Sequence, residues 1–155
     1  MELIHRKELT EIKRIVVKVG SKILTPQNAN EHLERMAHLV RDFSALIDNH
    51  VQVIFISSGA VAHGRMVLGL EERPKTIPLK QACAGVGQIE LMNLYRRKFE
   101  RYNKQCGQIL LSWDDLRNKE RYLNLRNTLF AMLENGITPI INENDSVAID
   151  EIKIG

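Results

Sequence analysis

The chain has 155 residues, of which 44% are hydrophobic and only 5% aromatic, a balance typical of one α/β domain with an aliphatic core. Its net charge of +3 is too small to indicate nucleic-acid binding by itself. The cysteines, Cys83 and Cys106, are far apart in apolar surroundings, which argues against disulfides or a zinc site and for a reducing compartment. The N-terminal segment shows no signal peptide, and no run approaches the roughly 20 apolar residues of a membrane span. We therefore predict a soluble, cytoplasmic domain.

The first half of the chain alternates apolar runs with helical patterns. Residues 14–19 (RIVVKV) predict a buried strand, because β-branched residues occupy both faces, and residues 51–57 (VQVIFIS) predict a second strand. Between them, Asn30 is expected to cap a helix that ends near Asn49. The apolar stripe of that helix comprises Leu33, Met36, Ala37, Val40, Phe43 and Ile47. The segment SSGAVAHGRMVLG then predicts a tight turn into a short helix.

The second half begins with a long helical pattern from about Leu79 to Tyr102. We expect its buried stripe to comprise Ile89, Met92, Tyr95 and Phe99. Gly85 and Gly87 lower helix propensity by about 1 kcal/mol each, which predicts close packing or a bend.

Two further strands frame a helical segment near the end of the chain. Residues 108–112 (QILLS) and 137–141 (ITPII) predict the strands, and the residues between them predict a helix in two pieces. Gly136 suits the left-handed position after a helix. Pro139 is expected where its missing N–H does no harm.

This alternation of strands and helices predicts the α/β class, with an open, mainly parallel sheet flanked by helices. Ligands of such sheets bind outside the carboxyl ends of the strands. Small residues, donors and carboxylates follow the first, second and fourth strands, at 18–21, 57–60 and 142–145. Because these ends share one rim, their joint placement predicts a ligand site better than any single motif does.

Lys18 and Gly20 give the first strand end a possible anion site. Glycine allows a tight turn with N–H groups pointing outward, and the lysine adds a positive charge, which suits a transferring phosphate. The segment is not a Walker A loop, because the glycine spacing differs. The alternative is an ordinary strand exit in which Lys18 reaches solvent.

The segment SSGA opens the short helix and offers N–H groups to an anion. Ser57 or Ser58 could equally be a plain N-cap, and the spacing does not fit a nucleophile elbow. His63 could be proposed as a base, although a helix-surface histidine is the more ordinary interpretation.

Oxygen-rich residues follow the fourth strand. Asn142 and Asp145 could bind an ammonium group, whereas Asp150 and Glu151 are better interpreted as a solvated loop. The spacing fails the EF-hand pattern, and we predict no metal site of this chain's own. The basic run at 95–104 is interpreted as a solvated helix face rather than a nucleic-acid site.

Four segments together resemble the amino acid kinase family, and within it the glutamate kinases. They are VVKVGSKILT, VIFISSGAVAHGRMVLG, KQACAGVGQIELMNLY and ERYLNLRNTLFAMLENGITPIINENDSVAIDEIKIG. The resemblance runs from about Arg14 to Gly155 and implies an α/β/α sandwich. It also implies transfer of the ATP γ-phosphoryl group, with Mg2+, to the side-chain carboxylate of L-glutamate, the first step of proline biosynthesis.

The resemblance assigns roles by matching position. Lys18 would stabilise the transferring phosphoryl group as the catalytic residue, and Gly20 and Ser21 would lie in the phosphate loop. Glutamate would be held by Ser58, Gly59, Ala60, Asn142 and Asp145. Feedback inhibition by proline and a homo-oligomeric assembly are further implications of the family.

Members of this family continue past the residue that matches Gly155. Residues 1–155 are therefore predicted to be the amino-acid-binding N-terminal part of the kinase domain, without the nucleotide-binding half or a PUA domain, and to have negligible turnover alone. Two alternatives remain: a kinase of the same fold with another acceptor, and a non-catalytic glutamate-binding or assembly module. A nucleic-acid role would require a steep salt dependence that the modest charge does not favour.

Overall fold

A computed structural model describes residues 12–20 and 29–148, with the backbone alone at 29 and 30. The strands are β1 (Arg14–Lys18), β2 (Gln52–Ile56), β3 (Gln105–Leu111) and β4 (Ile137–Glu143). The helices are α1 (Ala29–Asp48), α2 (Ala60–Val67), α3 (Ile77–Glu100), α4 (Trp113–Arg117) and α5 (Lys119–Glu134). In this described part, no helix is long and apolar enough to cross a membrane.

The four strands form one parallel sheet in the order β1-β2-β4-β3. The predicted α/β class and parallel sheet are therefore confirmed. β3 begins at Gln105 rather than at Gln108, and β4 extends to Glu143. Pro139 of β4 pairs with Gly107 of β3. The pairing of β4 with β2 begins one residue later, at Ile140, so the missing N–H of Pro139 falls outside the β2–β4 ladder.

The main core lies between the sheet and helices α1 and α3. The rings of Phe43 and Phe55 are 5.1 Å apart, and those of Phe55 and Tyr95 are 5.2 Å apart in an edge-to-face arrangement, which aromatic pairs favour. The predicted apolar stripe of α1 is buried or half-buried along its length. The predicted cap is wrong, because Asn30 already lies inside α1, which includes Ala29.

Helix α5 covers the opposite face of the sheet. Side chains alternate between the two faces of a sheet along each strand. Cys106 packs on the main core. A side chain at the next residue, Gly107, would point to the other face and meet Met132 of α5. On the same face, the Arg14 guanidinium lies 5.0 Å from the centre of the Phe130 ring. Helices on both faces confirm the α/β/α arrangement.

Among the four described strands, β1 lies at one edge of the sheet, and the prediction of a buried strand is wrong for it. Val16 is 58% exposed, whereas Ile15 and Val17 pack against the main core. β-branched residues on both faces predict a strand but do not distinguish an edge strand from a central one.

The predicted stripe of α3 is correct at Tyr95 and Phe99 and wrong at Ile89. Tyr95 and Phe99 are buried, whereas Ile89 is 69% exposed. Six positions at about 100° each place Ile89 about 240° around the helix from Tyr95, so Leu91 and Gln88 take the buried positions instead.

Candidate active site

The carboxyl ends of the strands lie along one rim. The Val19 N–H donates to the Ile56 carbonyl at 3.0 Å, and the Ser57 N–H donates to the Ile141 carbonyl at 2.8 Å. Hydrogen bonding between neighbouring strands therefore continues past the last residues of β1 and β2. As a result, the segments that follow β1, β2 and β4 lie next to one another.

Lys18 and Gly20 occupy the open end of this rim, next to the last residues of β2. Both residues are exposed, and a side chain at Gly20 would meet no described atom within 4 Å. Ser21, predicted for the same phosphate loop, lies outside the described residues.

The loop after β2 is held on two sides. The Ser58 hydroxyl donates to the Val19 carbonyl at 3.1 Å, and the hydroxyls of Ser57 and Tyr95 are 3.0 Å apart. Gly59 then takes a left-handed conformation with φ of 101° and occupies the N-cap position of α2 without a side-chain cap. The interpretation of Ser57 or Ser58 as the N-cap is therefore wrong.

Helix α2 packs against α3 through two glycines. A side chain at Gly64 would lie 1.7 Å from the Cys83 carbonyl oxygen, and one at Gly87 would lie 1.8 Å from the Ala60 carbonyl oxygen. Both distances are far below a van der Waals contact, so only glycine fits at either position. This close contact between the two helices fixes Ala60, and hence the start of α2, against α3. The predicted close packing is therefore confirmed at Gly87 but not at Gly85.

His63 is buried, so its interpretation as a surface histidine is wrong. Its side chain is 0% exposed, and its ring centre lies 5.2 Å from that of His32, which is also buried. The His32–His63 contact joins α1 to α2. His63 therefore packs between the helices.

Asn142, at the end of β4, makes two hydrogen bonds with defined directions. Its Oδ1 accepts from the backbone N–H of Glu143 at 3.0 Å, and its Nδ2 donates to Oε1 of Gln88 at 2.7 Å. Asp145 follows in a turn closed by the Ala148 N–H and the Asn144 carbonyl at 2.8 Å. Asp150 and Glu151 lie outside the described residues.

A small cleft, here called the rim cleft, lies between the turn after β4 and helices α2 and α3. It is lined by Ala60, Ala84, Gln88, Leu110, Glu143, Asn144, Asp145 and Ser146. Its volume of about 10 Å³ suits one water molecule rather than an amino acid. The rim cleft by itself therefore has no room for an amino acid.

Sequence reasoning missed Gln88. The signal was available, because Gln88 stands on the stripe of α3 that also carries Ala84, Leu91 and Tyr95. A polar side chain on a core-facing stripe requires a partner or a ligand.

The end of β3 carries a second polar cluster. The backbone N–H and the hydroxyl of Ser112 donate to Oδ2 of Asp115 at 2.8 and 2.6 Å, and Arg121 donates to Oδ1 at 2.9 Å. The Ser112 hydrogen bonds, followed by Arg121, lower the pKa of the Asp115 carboxyl. Ser112 and Asp115 thereby form the capping box of α4.

The rim fits a magnesium nucleotide only in part. In residues 12–20 and 29–148, no three His, Cys, Asp or Glu side chains form a metal cluster. Proteins usually hold Mg2+ through one or two carboxylates together with substrate phosphates. The carboxylates of Glu143 and Asp145, both on the rim cleft, and the exposed cation of Lys18 are compatible with that arrangement.

An open parallel sheet with a cation, an amide and a carboxylate along its carboxyl rim is the arrangement at which α/β domains bind their ligands. The chain belongs to the amino acid kinase family, whose sequence profile matches residues 13–155.

Individual relatives have more specific names. The chain is 48% identical over 147 residues to a glutamate 5-kinase of Geobacter metallireducens, covering 95% of this chain and 39% of that protein. It is 45% identical over 151 residues to a glutamate 5-kinase of Clostridium acetobutylicum, covering 97% of this chain and 57% of that protein. The chain therefore spans less than two thirds of these curated relatives.

A solved structure supports the fold independently. The carbamate kinase from Giardia lamblia bound to AMP-PNP has a TM-score of 0.53 with this chain, covering 87% of this chain and 61% of that one. The identity is 9%, so the likeness shows the fold alone.

Proposed function

We propose that this chain is the amino-acid-binding part of a glutamate 5-kinase. Such an enzyme transfers the γ-phosphoryl group of ATP to the γ-carboxylate of L-glutamate and forms γ-glutamyl phosphate, the first step of proline biosynthesis. The observation that carries the proposal is the identity of 45–48% with glutamate 5-kinases over at least 95% of this chain. The polar rim supports it, because positioning and charge neutralisation supply most of the catalysis in phosphoryl transfer.

In this proposal, Lys18 is the catalytic cation. Its exposed ammonium group neutralises charge that develops on the transferring phosphoryl oxygens. Backbone N–H groups at Gly20 and Ser21 are assigned to the same phosphate, and the exposure of Gly20 supports this role. A complete enzyme would bind ATP and Mg2+, and the magnesium nucleotide supplies the phosphoryl group and part of the charge neutralisation.

Glutamate binds across the loops after β2 and β4. N–H groups at Gly59 and Ala60 suit a carboxylate oxygen, because the first N–H groups of a helix have no partner within it. The Ser58 hydroxyl would join them by turning its proton from the Val19 carbonyl to the ligand. The Asp145 carboxylate suits the ammonium group. The hydrogen bonds of Asn142 to Gln88 and to the Glu143 backbone support a role in holding this end of the site in one orientation.

Three further properties belong to the same proposal. The enzyme acts in the cytoplasm, which the free thiols of Cys83 and Cys106 support. It assembles as a homo-oligomer, and proline inhibits it. A nucleotide-binding half completes the catalytic site, so residues 1–155 alone have negligible turnover.

The test is an acceptor panel with the complete protein. ADP release is measured with glutamate, aspartate, N-acetylglutamate and carbamate, and hydroxylamine traps any acyl phosphate. We expect ADP release and hydroxamate formation with glutamate at a kcat/KM at least about tenfold above the others. Preference for another acceptor, or ADP release without trapped product, would contradict the proposal.

A further inference from the structure

Gln88 carries a buried hydrogen-bond donor that the described residues do not use. The residue is 8% exposed, and its Nε2 has no hydrogen-bond partner among the described residues. The side chain lines the rim cleft beside Ala60 and Asp145. This cleft adjoins the loops after β2 and β4, where the amino acid is proposed to bind.

The direction of the Gln88 amide is set by its neighbours. The Glu143 N–H can only donate, so it requires Oδ1 of Asn142 as its acceptor. Nδ2 of Asn142 is then the donor that faces Gln88, and Gln88 must present Oε1 to it. Rotating the Gln88 amide by 180° would bring two NH2 groups together. The chain of hydrogen bonds therefore leaves Nε2, a donor, without a partner among the described residues.

An unused buried donor is costly. Leaving such a group without a partner costs about 1–3 kcal/mol, and nearly all buried polar groups in native proteins are paired. An acceptor oxygen from a ligand would remove this cost. A carboxylate oxygen would do so most strongly, because hydrogen bonds to an ionised acceptor are about twice as strong as neutral ones.

We propose that Gln88 is a specificity-determining residue that donates a hydrogen bond from Nε2 to a carboxylate oxygen of the acceptor amino acid. This inference rests on the proposed function and adds a substrate contact to it. A ligand without an oxygen at that point leaves Nε2 unpaired, and a site with an unpaired buried donor discriminates against such a ligand.

Two substitutions in the complete protein separate this role from packing. Gln88→Met keeps a similar size and removes the donor. Gln88→Glu keeps an oxygen for Asn142 and places a second oxygen where the donor stood. We expect the KM for glutamate to rise about tenfold to a hundredfold in both variants, with the KM for ATP unchanged.

The pH dependence provides a second readout. Repulsion between the introduced carboxylate and the substrate should make Gln88→Glu the weaker variant at pH 8, and its KM for glutamate should fall toward that of Gln88→Met at lower pH. Gln105→Met, at the exposed amino end of β3, is the matched control and should leave both KM values unchanged. Thermal unfolding of each variant identifies loss of folding. If Gln88→Met does not fold, Gln88→Glu still tests the proposal, because it retains an oxygen for the Asn142 contact.

The inference is overturned if a folded Gln88 variant keeps a KM for glutamate within twofold of the original. The proposed function fails separately, if the unsubstituted protein does not phosphorylate glutamate. In that event the same KM comparison is made with whichever carboxylate acceptor the panel identifies, and its result still decides the role of Gln88.

Discussion

The hydroxyl groups of Ser57 and Tyr95 lie 3.0 Å apart inside the protein, and both residues are almost completely buried. Burial raises the pKa of the Tyr95 phenol, only partly opposed by the Ser57 hydrogen bond, so the phenol stays protonated at neutral pH. The pair joins the loop after β2 to the C-terminal half of α3. Loss of this contact should therefore affect the loop that carries the proposed substrate residues.

Tyr95→Phe should destabilise the protein by about 1–3 kcal/mol, because the Ser57 hydroxyl keeps only a long contact of 3.5 Å to the Ser58 carbonyl. Urea denaturation measures the change. Tyr102→Phe is the control, since Tyr102 is 41% exposed and should change the free energy of unfolding by less than about 0.5 kcal/mol. Adding Ser57→Ala to Tyr95→Phe should recover part of the loss, because no buried hydroxyl then lacks a partner. Additive losses would contradict this account.

Gly87→Ala should disrupt the packing of α2 on α3. The new methyl carbon would lie 1.8 Å from the Ala60 carbonyl oxygen, and forced overpacking costs about 1–3 kcal/mol or more. Thermal or urea unfolding measures the effect. Gly85→Ala is the matched control two residues earlier in the same helix. A side chain at Gly85 meets nothing within 4 Å, so this substitution should stabilise by up to about 1 kcal/mol. Equal effects at the two positions would contradict the predicted role of Gly87.

The order of elements could be predicted from sequence because each depends on local pattern. The left-handed Gly136, with φ of 69°, and the two helical pieces after β3 follow from single residues and short spacings. The edge position of β1 could not be predicted, because it depends on which strand lies next to it. Ile89 was misplaced because successive steps of three residues, from 89 to 92 to 95, drift around the helix and leave Ile89 about 240° from Tyr95.

The residues of the candidate site also divide into those that the sequence can predict and those that it cannot. A lysine, a glycine loop and an Asn–Asp pair can be found at strand ends without coordinates, because parallel strands share one rim. The contact of Asn142 with Gln88 joins residues 54 positions apart on different elements. No local spacing encodes that pairing, so the sequence can mark Gln88 as a polar residue on a buried stripe but cannot identify Asn142 as its partner.

Lys18→Met in the complete protein should lower kcat for the proposed phosphoryl transfer by about a hundredfold or more, because a positive charge at the developing phosphoryl charge is lost. Lys18 is exposed, so the free energy of unfolding should not change measurably. Steady-state kinetics and urea denaturation test both statements. Lys13→Met, an exposed lysine before the opposite end of β1, is the matched control and should retain full kcat. An unchanged kcat in a folded Lys18→Met protein would remove Lys18 from the catalytic role.

Asp115→Ala should destabilise the protein in a pH-dependent manner. The carboxylate accepts from the N–H and hydroxyl of Ser112, and loss of a helix cap costs about 1 kcal/mol. The Ser112 hydrogen bonds lower the folded-state pKa of Asp115, whereas the unfolded value is about 3.9. The stability contribution of the charge is therefore complete above about pH 5 and is lost as pH falls through the lowered pKa.

Urea denaturation at pH 7 and at successively lower pH values measures this effect. The difference in free energy of unfolding between Asp115→Ala and the unsubstituted protein should shrink below about pH 4. Asp114→Ala, at the exposed neighbour in the same turn, should show a smaller difference at pH 7. A difference for Asp115→Ala that stays constant down to pH 2 would show that the cap acts without its charge.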